Sequence, residues 1–531
     1  MFRMFRGSSA AILASAAFLC VVYNLAFFRN VQDVYPVQEN LAFYLAMALL
    51  MFSLLGVFLS LVLNKLTLKP VLMLLLPVSA IAAYFMDSYN VVIDSSMLRN
   101  ALMTDSRETG DLLSLRMLMY LLILGLIPAW VVYRWTPRCQ PLREELSNRA
   151  KLILLLLALS GGNVMAFSED YAVFVREHKD LRYYANPLTV IYSASKLLEE
   201  ELEVPANATR LPIGRDARVT RDDARRKLFV LVVGEAARGD HWRLNGYERD
   251  TNPQLAAQQV ISFPRVASCA TSTAYSLPCM FSLIEHDDFE LKRTLAQENL
   301  LDVLAHTGAR MLWRDNNSDS KGVATAIPFE DFRSPDVNPV CDVECRDIGM
   351  LAGLEDVIQS TPEGDIVIVL HQMGNHGPAY FKRYPAEFER FTPVCETNDL
   401  SECSTDEVRN AYDNALLYTD HFLSQVIEFL KPWEGAFATS MLYMSDHGES
   451  LGEYGVYLHG LPYALAPEAQ THVSTFYWQG QSLADAEREA LAAVQARQWN
   501  HDALFHTVLG LLDVSTSVYK PGLDMLGRLT Y

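Results

Sequence analysis

The chain reads as two architectures in series: a five-pass α-helical membrane domain, then an α/β sandwich around a largely parallel sheet. Three observations predict this. Five apolar stretches crowd the first 167 residues. Residues 227–235, Lys-Leu-Phe-Val-Leu-Val-Val-Gly-Glu, form an apolar, β-branched run ending in a carboxylate, as in a strand covered on both faces. Residues 436–447 repeat that pattern and end in Ser445-Asp446-His447.

The apolar stretches are 10–28, 41–63, 71–86, 117–133 and 152–167. A helix needs about 20 residues to cross a bilayer, with about 17 as the usual lower limit. The first two stretches qualify directly, whereas the third and fifth need flanking residues such as Leu66, Leu68 and Pro70. Pro77, Pro128 and Gly161-Gly162 would interrupt soluble helices but are tolerated in membrane bundles. The alternative for the first stretch is a cleaved signal peptide, but no clear A-x-A site follows it.

Orientation follows from charge. Arg3 and Arg6 precede the first stretch, and Lys65 and Lys69 separate the second from the third. Arg134, Arg138, Arg143, Arg149 and Lys151 lie between or abut the fourth and fifth. The loop at 29–40 has only Arg29, and that at 87–116 mixes Arg99, Arg107 and Arg116 with five acids. By the positive-inside rule the N-terminus is cytoplasmic, so residues beyond 167 emerge on the outer side. Cys269 and Cys279, Cys341 and Cys345, and Cys395 and Cys403 would then be external near-pairs. Disulfides are expected there; the alternative, a zinc cluster, lacks repeated C-x-x-C spacing. The net charge of −19 argues against a nucleic-acid surface.

Residues 168–226 form a connector in which Tyr171, Phe174, Tyr183, Tyr184, Tyr192, Leu197 and Leu198 alternate with charges. Such a segment either lies at the membrane interface or packs on protein. The roughly 300 residues from 227 to 531 suffice for one catalytic domain with its own core. Strands are expected at 227–235, 310–314, 365–371, 436–445 and 472–478, with an amphipathic helix at 408–430.

Ligands in open α/β sheets bind beyond the carboxyl ends of the strands. Glu235, Asp446 and His447 would stand there, offering oxygen and imidazole ligands suited to zinc with a coordination position left open. Ser268-Cys-Ala-Thr-Ser-Thr-Ala-Tyr-Ser-Leu-Pro-Cys279 is dense in hydroxyls between two cysteines. A disulfide would hold such a nucleophile loop rigid, and a helix starting near Thr273 would favour a phosphate. The rival reading is a stapled serine/threonine turn. His376 and His459 are loop histidines of the kind that are often incidental, Lys321 has a surface lysine's usual solvated alternative, and His501, Asp502 and His506 read as helix-packing and capping residues.

Six segments carry a resemblance: Val-Val-Gly-Glu-Ala-Ala-Arg (232–238), Asn-Gly-Tyr-Glu-Arg-Asp-Thr (245–251), the 269–279 loop, His-Gln-Met-Gly-Asn-His-Gly-Pro (371–378), Ser-Asp-His-Gly-Glu-Ser-Leu-Gly-Glu (445–453) and Tyr-Leu-His-Gly (457–460). In these the chain resembles the phosphoethanolamine transferases, membrane enzymes of the alkaline phosphatase/sulfatase superfamily that include the lipid A modifiers behind polymyxin resistance. The resemblance implies an alkaline-phosphatase-like periplasmic catalytic domain. It implies that Thr273 is the nucleophile, carrying a transient phosphoethanolamine, and that Glu235, Asp446 and His447 hold a catalytic zinc completed by Thr273. His376 and His459 match histidines lining the substrate phosphate, sometimes with a second metal, and Asn317 and Lys321 match phosphoryl contacts. Relatives often flank that lysine with a cysteine pair, where this chain has Ser320 and Ala324; one accessory disulfide is therefore not expected. Asn100, Thr104, Asp105 and Glu108 lie at helical spacing near the bilayer. They suit either lipid-substrate binding, as the resemblance suggests, or an ordinary solvated face.

The expected reaction is ping-pong transfer at a Gram-negative inner membrane. Zinc-bound Thr273 attacks phosphatidylethanolamine, diacylglycerol leaves, and lipid A (the lipopolysaccharide anchor) accepts the phosphoethanolamine. Polymyxin or cationic-peptide resistance would follow, and the enzyme is expected to be monomeric. Alternatives are a core sugar or periplasmic glycan as acceptor, a phosphodiesterase or sulfatase, a glycerol-phosphate transferase, and a non-catalytic sensor. The loop lacks the C/S-x-P-x-R pattern of sulfatases.

Overall fold

The computed structural model describes residues 8–103, 106–135, 141–202, 210–221, 225–480, 491 and 494–527. The chain divides into two compact units: Met1–Leu98 with Leu113–Glu199, and Arg99–Leu112 with Glu200–Tyr531.

In the first unit, Val37–Val62, Leu68–Tyr89, Leu115–Arg134 and Arg143–Ala166 are each long and apolar enough to span a membrane. The third stretch reaches spanning length because its helix, Leu68–Tyr89, recruits residues on both sides, and the fifth because its helix begins well before residue 152. The first stretch is not the continuous helix its hydropathy suggests. It breaks at Tyr23-Asn24 into Ser9–Val22 and Leu25–Val34, bent by 55°, and the pair together makes a fifth candidate span. Asn24 explains the break: its side-chain amide donates to the Leu19 and Asn186 carbonyls at 2.9 and 2.7 Å, and its oxygen accepts the Asn186 N–H at 2.9 Å. Polar side chains of this kind satisfy backbone groups that a kink frees from the helix ladder. Leu115–Arg134 contains a π turn, Tyr120–Leu126, where the Tyr23 hydroxyl donates to the Leu124 carbonyl. Gly125 sits there against Pro77, so close that a Cβ would lie 3.0 Å from the proline Cα. Leu122, Ile123, Trp130 and Leu154 remain exposed, as lipid-facing side chains do. Of the connector, Tyr171, Phe174, Tyr184 and Leu197 are buried, while Tyr192 and Leu198 are exposed.

The second unit is built on a seven-stranded sheet. In chain order its strands are β1 (Arg226–Gly234), β2 (Ile261–Ser262), β3 (Arg310–Asp315), β4 (Phe329–Asp331), β5 (Ile366–His371), β6 (Phe437–Ser445) and β7 (Thr475–Gln479). Their spatial order is β2-β7-β6-β1-β5-β3-β4. The pairs from β6 to β4 are parallel, and β7 runs antiparallel to both β6 and β2. The expected strand at 472–478 is interrupted at Ser474: His472–Val473 pairs with Val266–Ala267 outside this sheet, and Thr475–Gln479 joins it as β7. Residues 227–234 of β1 are all buried; 228–234 are apolar or glycine, and the Lys227 ammonium is paired with Asp513.

Register decides what the sheet presents. Gly234 lies opposite Ser445, Val233 opposite His371, and His371 opposite Asp315. The residues following β1 and β6 therefore emerge side by side at the carboxyl edge. Helix Thr405–Leu430 covers the sheet and begins three residues before the predicted boundary, where Ser404 and Glu407 form a capping box.

Candidate active site

The site grows from that edge. After Gly234 the backbone turns sharply, with Ala236 at φ +54°. This left-handed conformation costs a non-glycine residue of order 1 kcal/mol or more and persists only where surroundings enforce it. The enforcement is visible: Asp446 Oδ1 accepts the Ala236 N–H at 3.1 Å, Ser445 Oγ accepts the Ala237 N–H at 2.8 Å, and the Asp446 N–H donates to Gly234 O at 2.9 Å. Gly234 itself tolerates no side chain, since a Cβ would sit 2.3 Å from the Tyr443 hydroxyl.

Thr273 opens helix Thr273–Met280, and the Cys269–Cys279 disulfide encloses it. Its hydroxyl donates to Glu235 Oε2 at 3.0 Å and stands 3.3 Å from His447 Nε2. His447 Nε2 in turn lies 3.3 Å from Glu235 Oε1 and 3.4 Å from Asp446 Oδ2. His447 Nδ1 is 2.8 Å from the Gly448 carbonyl. A proton on Nδ1 for that bond leaves Nε2, the nitrogen facing the carboxylates, as the atom that could bind a metal in place of a proton.

The electrostatics of the cluster favour positive charge between the carboxylates. Glu235, Asp446 and His447 are wholly buried. Burial would raise the Glu235 carboxyl, but the imidazoles of His447, His376 and His459 hold it well below the usual range. Burial and the adjacent Glu235 push Asp446 up to about 6. Burial opposes charging His447, yet Asp446 and Glu235 carry it up to about 10. Two dry carboxylates thus draw a positive charge onto the one imidazole between them. A divalent ion would compete for those same atoms. Ligand atoms of Glu235, Asp446 and His447 lie within 4.8 Å of one another, and Glu235 Oε1 and Asp446 Oδ2 are buried with no hydrogen-bond partner among the described residues. The donor set therefore fits a metal.

Asn317 joins this cluster, donating from Nδ2 to Glu235 Oε2 at 2.8 Å and to Gln372 O at 2.9 Å. His459 lies beside it, its ring centroid 4.2 Å from that of His447, and His376 is next, 5.9 Å from His459. Lys321 is buried rather than solvated, at φ +51°, with its ammonium donating to the Ser318 carbonyl at 2.6 Å. Disulfides also join Cys341 to Cys345 and Cys395 to Cys403. Asn100 lies on helix Ser95–Met103, partly exposed. Thr104 and Asp105 fall outside the described residues; Glu108 lies on helix Ser106–Leu112, and its side chain is likewise outside the description.

Sequence reasoning passed over three participants. Glu449 is buried and bonded through Oε2 to His459 Nδ1 at 2.8 Å; with His447 and His459 it forms a second group of metal-ligand type. Its place two residues after His447 was the available signal. His371 pairs through Nδ1 with Asp315 Oδ2 at 2.8 Å at the sheet edge. His501 stands at the N-cap of helix Asp502–Leu511 but its side chain does not cap it: Nδ1 accepts the Cys269 N–H at 3.2 Å and Nε2 donates to Ser445 O at 2.9 Å, tying the Thr273 loop to the end of β6. Only the fold could show that bridge, which spans more than 200 positions.

Comparison with known proteins agrees with this geometry. The chain matches the family described as Sulfatase over residues 227–514 and that described as Phosphoethanolamine transferase EptA/EptB over residues 51–202. It is 45% identical to phosphatidylethanolamine transferase Mcr-1 of Escherichia coli, covering 96% of this chain and 95% of the relative. It is 36% identical to phosphoethanolamine transferase EptA of E. coli K12, covering 97% and 96%. The integral membrane lipooligosaccharide phosphoethanolamine transferase A (EptA) of Neisseria meningitidis superposes with a TM-score of 0.93 at 32% identity, covering 99% of both chains. Membrane helices, an α/β domain and a threonine among buried residues of metal-ligand type thus converge with these likenesses, and the chain belongs to the lipid A phosphoethanolamine transferase family of the alkaline phosphatase superfamily.

Proposed function

We propose that the protein transfers phosphoethanolamine from phosphatidylethanolamine to lipid A through a covalent Thr273 intermediate. Thr273 Oγ forms a bond to phosphorus as the phosphorus–oxygen bond to diacylglycerol breaks; the threonine gives up its hydroxyl proton, and the departing diacylglycerol oxygen gains one. A phosphate oxygen of lipid A then displaces Thr273 and takes the phosphoethanolamine. The observation that carries this reading is Thr273 Oγ1, within 3.3 Å of both Glu235 and His447 at the first turn of a helix. Backbone N–H groups at such a turn favour a phosphate. A zinc ion held by Glu235, Asp446, His447 and Thr273 would supply Lewis acidity, activating the hydroxyl and offsetting charge on the phosphoryl oxygens.

The chain's own residues do the rest. Asn317 fixes the Glu235 carboxylate that accepts the Thr273 hydroxyl, and Glu449 orients His459 by taking its Nδ1 proton in a hydrogen bond. His376, His459 and Lys321 are assigned to the phosphate side of the site, with Asn100, Thr104 and Glu108 assigned to the lipid donor.

The charge pattern supports a cytoplasmic N-terminus, and the three disulfides suit a periplasmic catalytic domain at the inner membrane. Donor and acceptor then share one leaflet, and a monomer suffices. Adding an ammonium to lipid A phosphates weakens attraction of cationic peptides such as polymyxin. Lipid A mass spectra from cells expressing the protein should show the phosphoethanolamine increment, and Thr273→Ala should abolish it. Full modification by Thr273→Ala protein would refute the covalent route.

A further inference from the structure

The loop that carries His376 is closed by its own Arg383. Arg383 Nε donates to the His376 carbonyl at 2.6 Å, turning residues 376–383 back on themselves. The same guanidinium pairs with Glu344 through Nη1 and with Asp111 Oδ2 through Nη2, the latter at 2.6 Å. Lys382 holds the other Asp111 oxygen at 2.6 Å. Midway along the loop the Tyr380 hydroxyl donates to Glu449, whose second oxygen holds His459. The loop is therefore tied at one point to the active-site glutamate and at another to Asp111 near the end of helix Ser106–Leu112.

This placement of an arginine is costly unless each contact is used. The Arg383 side chain is 2% exposed, and a buried guanidinium must be paired and hydrogen-bonded. Its planar fork addresses three acceptors in fixed directions, which a lysine ammonium cannot reproduce. Two of those acceptors are carboxylates that neutralise it. The third is the backbone of the residue assigned to the substrate phosphate.

We propose that Arg383 is a positioning residue acting through His376, and that Asp111 holds Arg383 in place, so that the end of helix Ser106–Leu112 sets the geometry of the phosphate site. The proposal rests on the reading of His376 given above. It names no new contact with substrate: Arg383 and Asp111 act by fixing where the His376 loop sits. Displacements of about 1 Å at such a site cost on the order of 100-fold in rate, so a partial loosening is readable in kinetics.

The test uses the full chain in detergent with a fluorescent phosphatidylethanolamine donor, measuring kcat and KM. Arg383→Gln and Asp111→Asn should each lower kcat/KM on the order of tenfold, moving the same parameter as His376→Ala. In a His376→Ala background either change should cost less than about twofold, because residues acting as a unit are not additive. Arg383→Lys, which keeps the charge and loses the fork, should not restore activity. Equal losses in both backgrounds, or full rescue by lysine, would overturn the proposal. Should Arg383→Gln fail to fold, Asp111→Asn decides alone, since it truncates nothing; an unchanged kcat/KM in that variant refutes the link. Thr273→Ala separates the two claims: if it stays active the covalent reading fails, whereas additive losses with an inactive Thr273→Ala sink only the coupling.

Discussion

The two units handle buried polarity in opposite ways. In the membrane unit the polar side chains serve the backbone: Asn24 bridges a helix break, and Asn163 donates to the Ala46 carbonyl at 2.7 Å. In the catalytic unit, Glu235, Asp446 and His447 are crowded together with like charges adjacent, and the backbone serves them. One arrangement lowers the cost of burial; the other retains that cost because the chemistry needs it. Polar residues of the first kind should therefore affect stability, and those of the second kind ligand binding and rate.

The sharpest way to break this contrast is at the carboxylates. Asp446→Asn or Glu235→Gln should reduce activity by at least about 100-fold and lower bound zinc after dialysis, with little loss in Tm. Metal analysis paired with thermal unfolding checks this; a large Tm drop with retained zinc would contradict it. Exhaustive chelation should inactivate the wild type, and zinc should restore it.

Next in size is the staple. Replacing Cys269 and Cys279 together by serine should cost about 2–3 kcal/mol of stability and slow turnover, because Thr273 loses the constraint on its loop. Denaturant midpoints and initial rates would report both effects. Smaller still, Asn24→Ala should destabilise the membrane unit by about 1–3 kcal/mol by leaving buried amide groups unsatisfied, while kcat changes less than about twofold. A kcat collapse in that variant would blur the distinction between the units.

A further effect is proton-linked and grows as the pH is lowered. Burial depresses His501 to about 3, so the folded protein keeps it neutral where the unfolded chain protonates it near 6.5. The unfolded state thus binds the extra proton, and stability falls as pH drops from about 6.5 toward 3. His501→Asn should flatten that slope in unfolding curves taken at several pH values.

Much of this was readable beforehand, and the reasons differ by region. Hydropathy located the helices because a bilayer imposes length and composition on each span independently of its neighbours. It could not place the bend at Asn24, which depends on Asn186 more than 160 positions away. In the catalytic unit, strands β1 and β6 were legible because strands covered on both faces are apolar along most of their length. Their terminal Glu235, Asp446 and His447 could be named as ligands from residue type alone.

Convergence was another matter. That Gly234 lies opposite Ser445, so that Glu235 meets Asp446, is a property of parallel register, and no local pattern encodes it. Burial of Lys321, the Arg383 fork and the His501 bridge likewise depend on segments distant in the chain. Local composition settled which elements form and which residues are chemically capable, since propensity and hydrophobicity act over short stretches. Packing alone settled which of those residues share a few ångströms, because long-range contacts are chosen by the whole core at once.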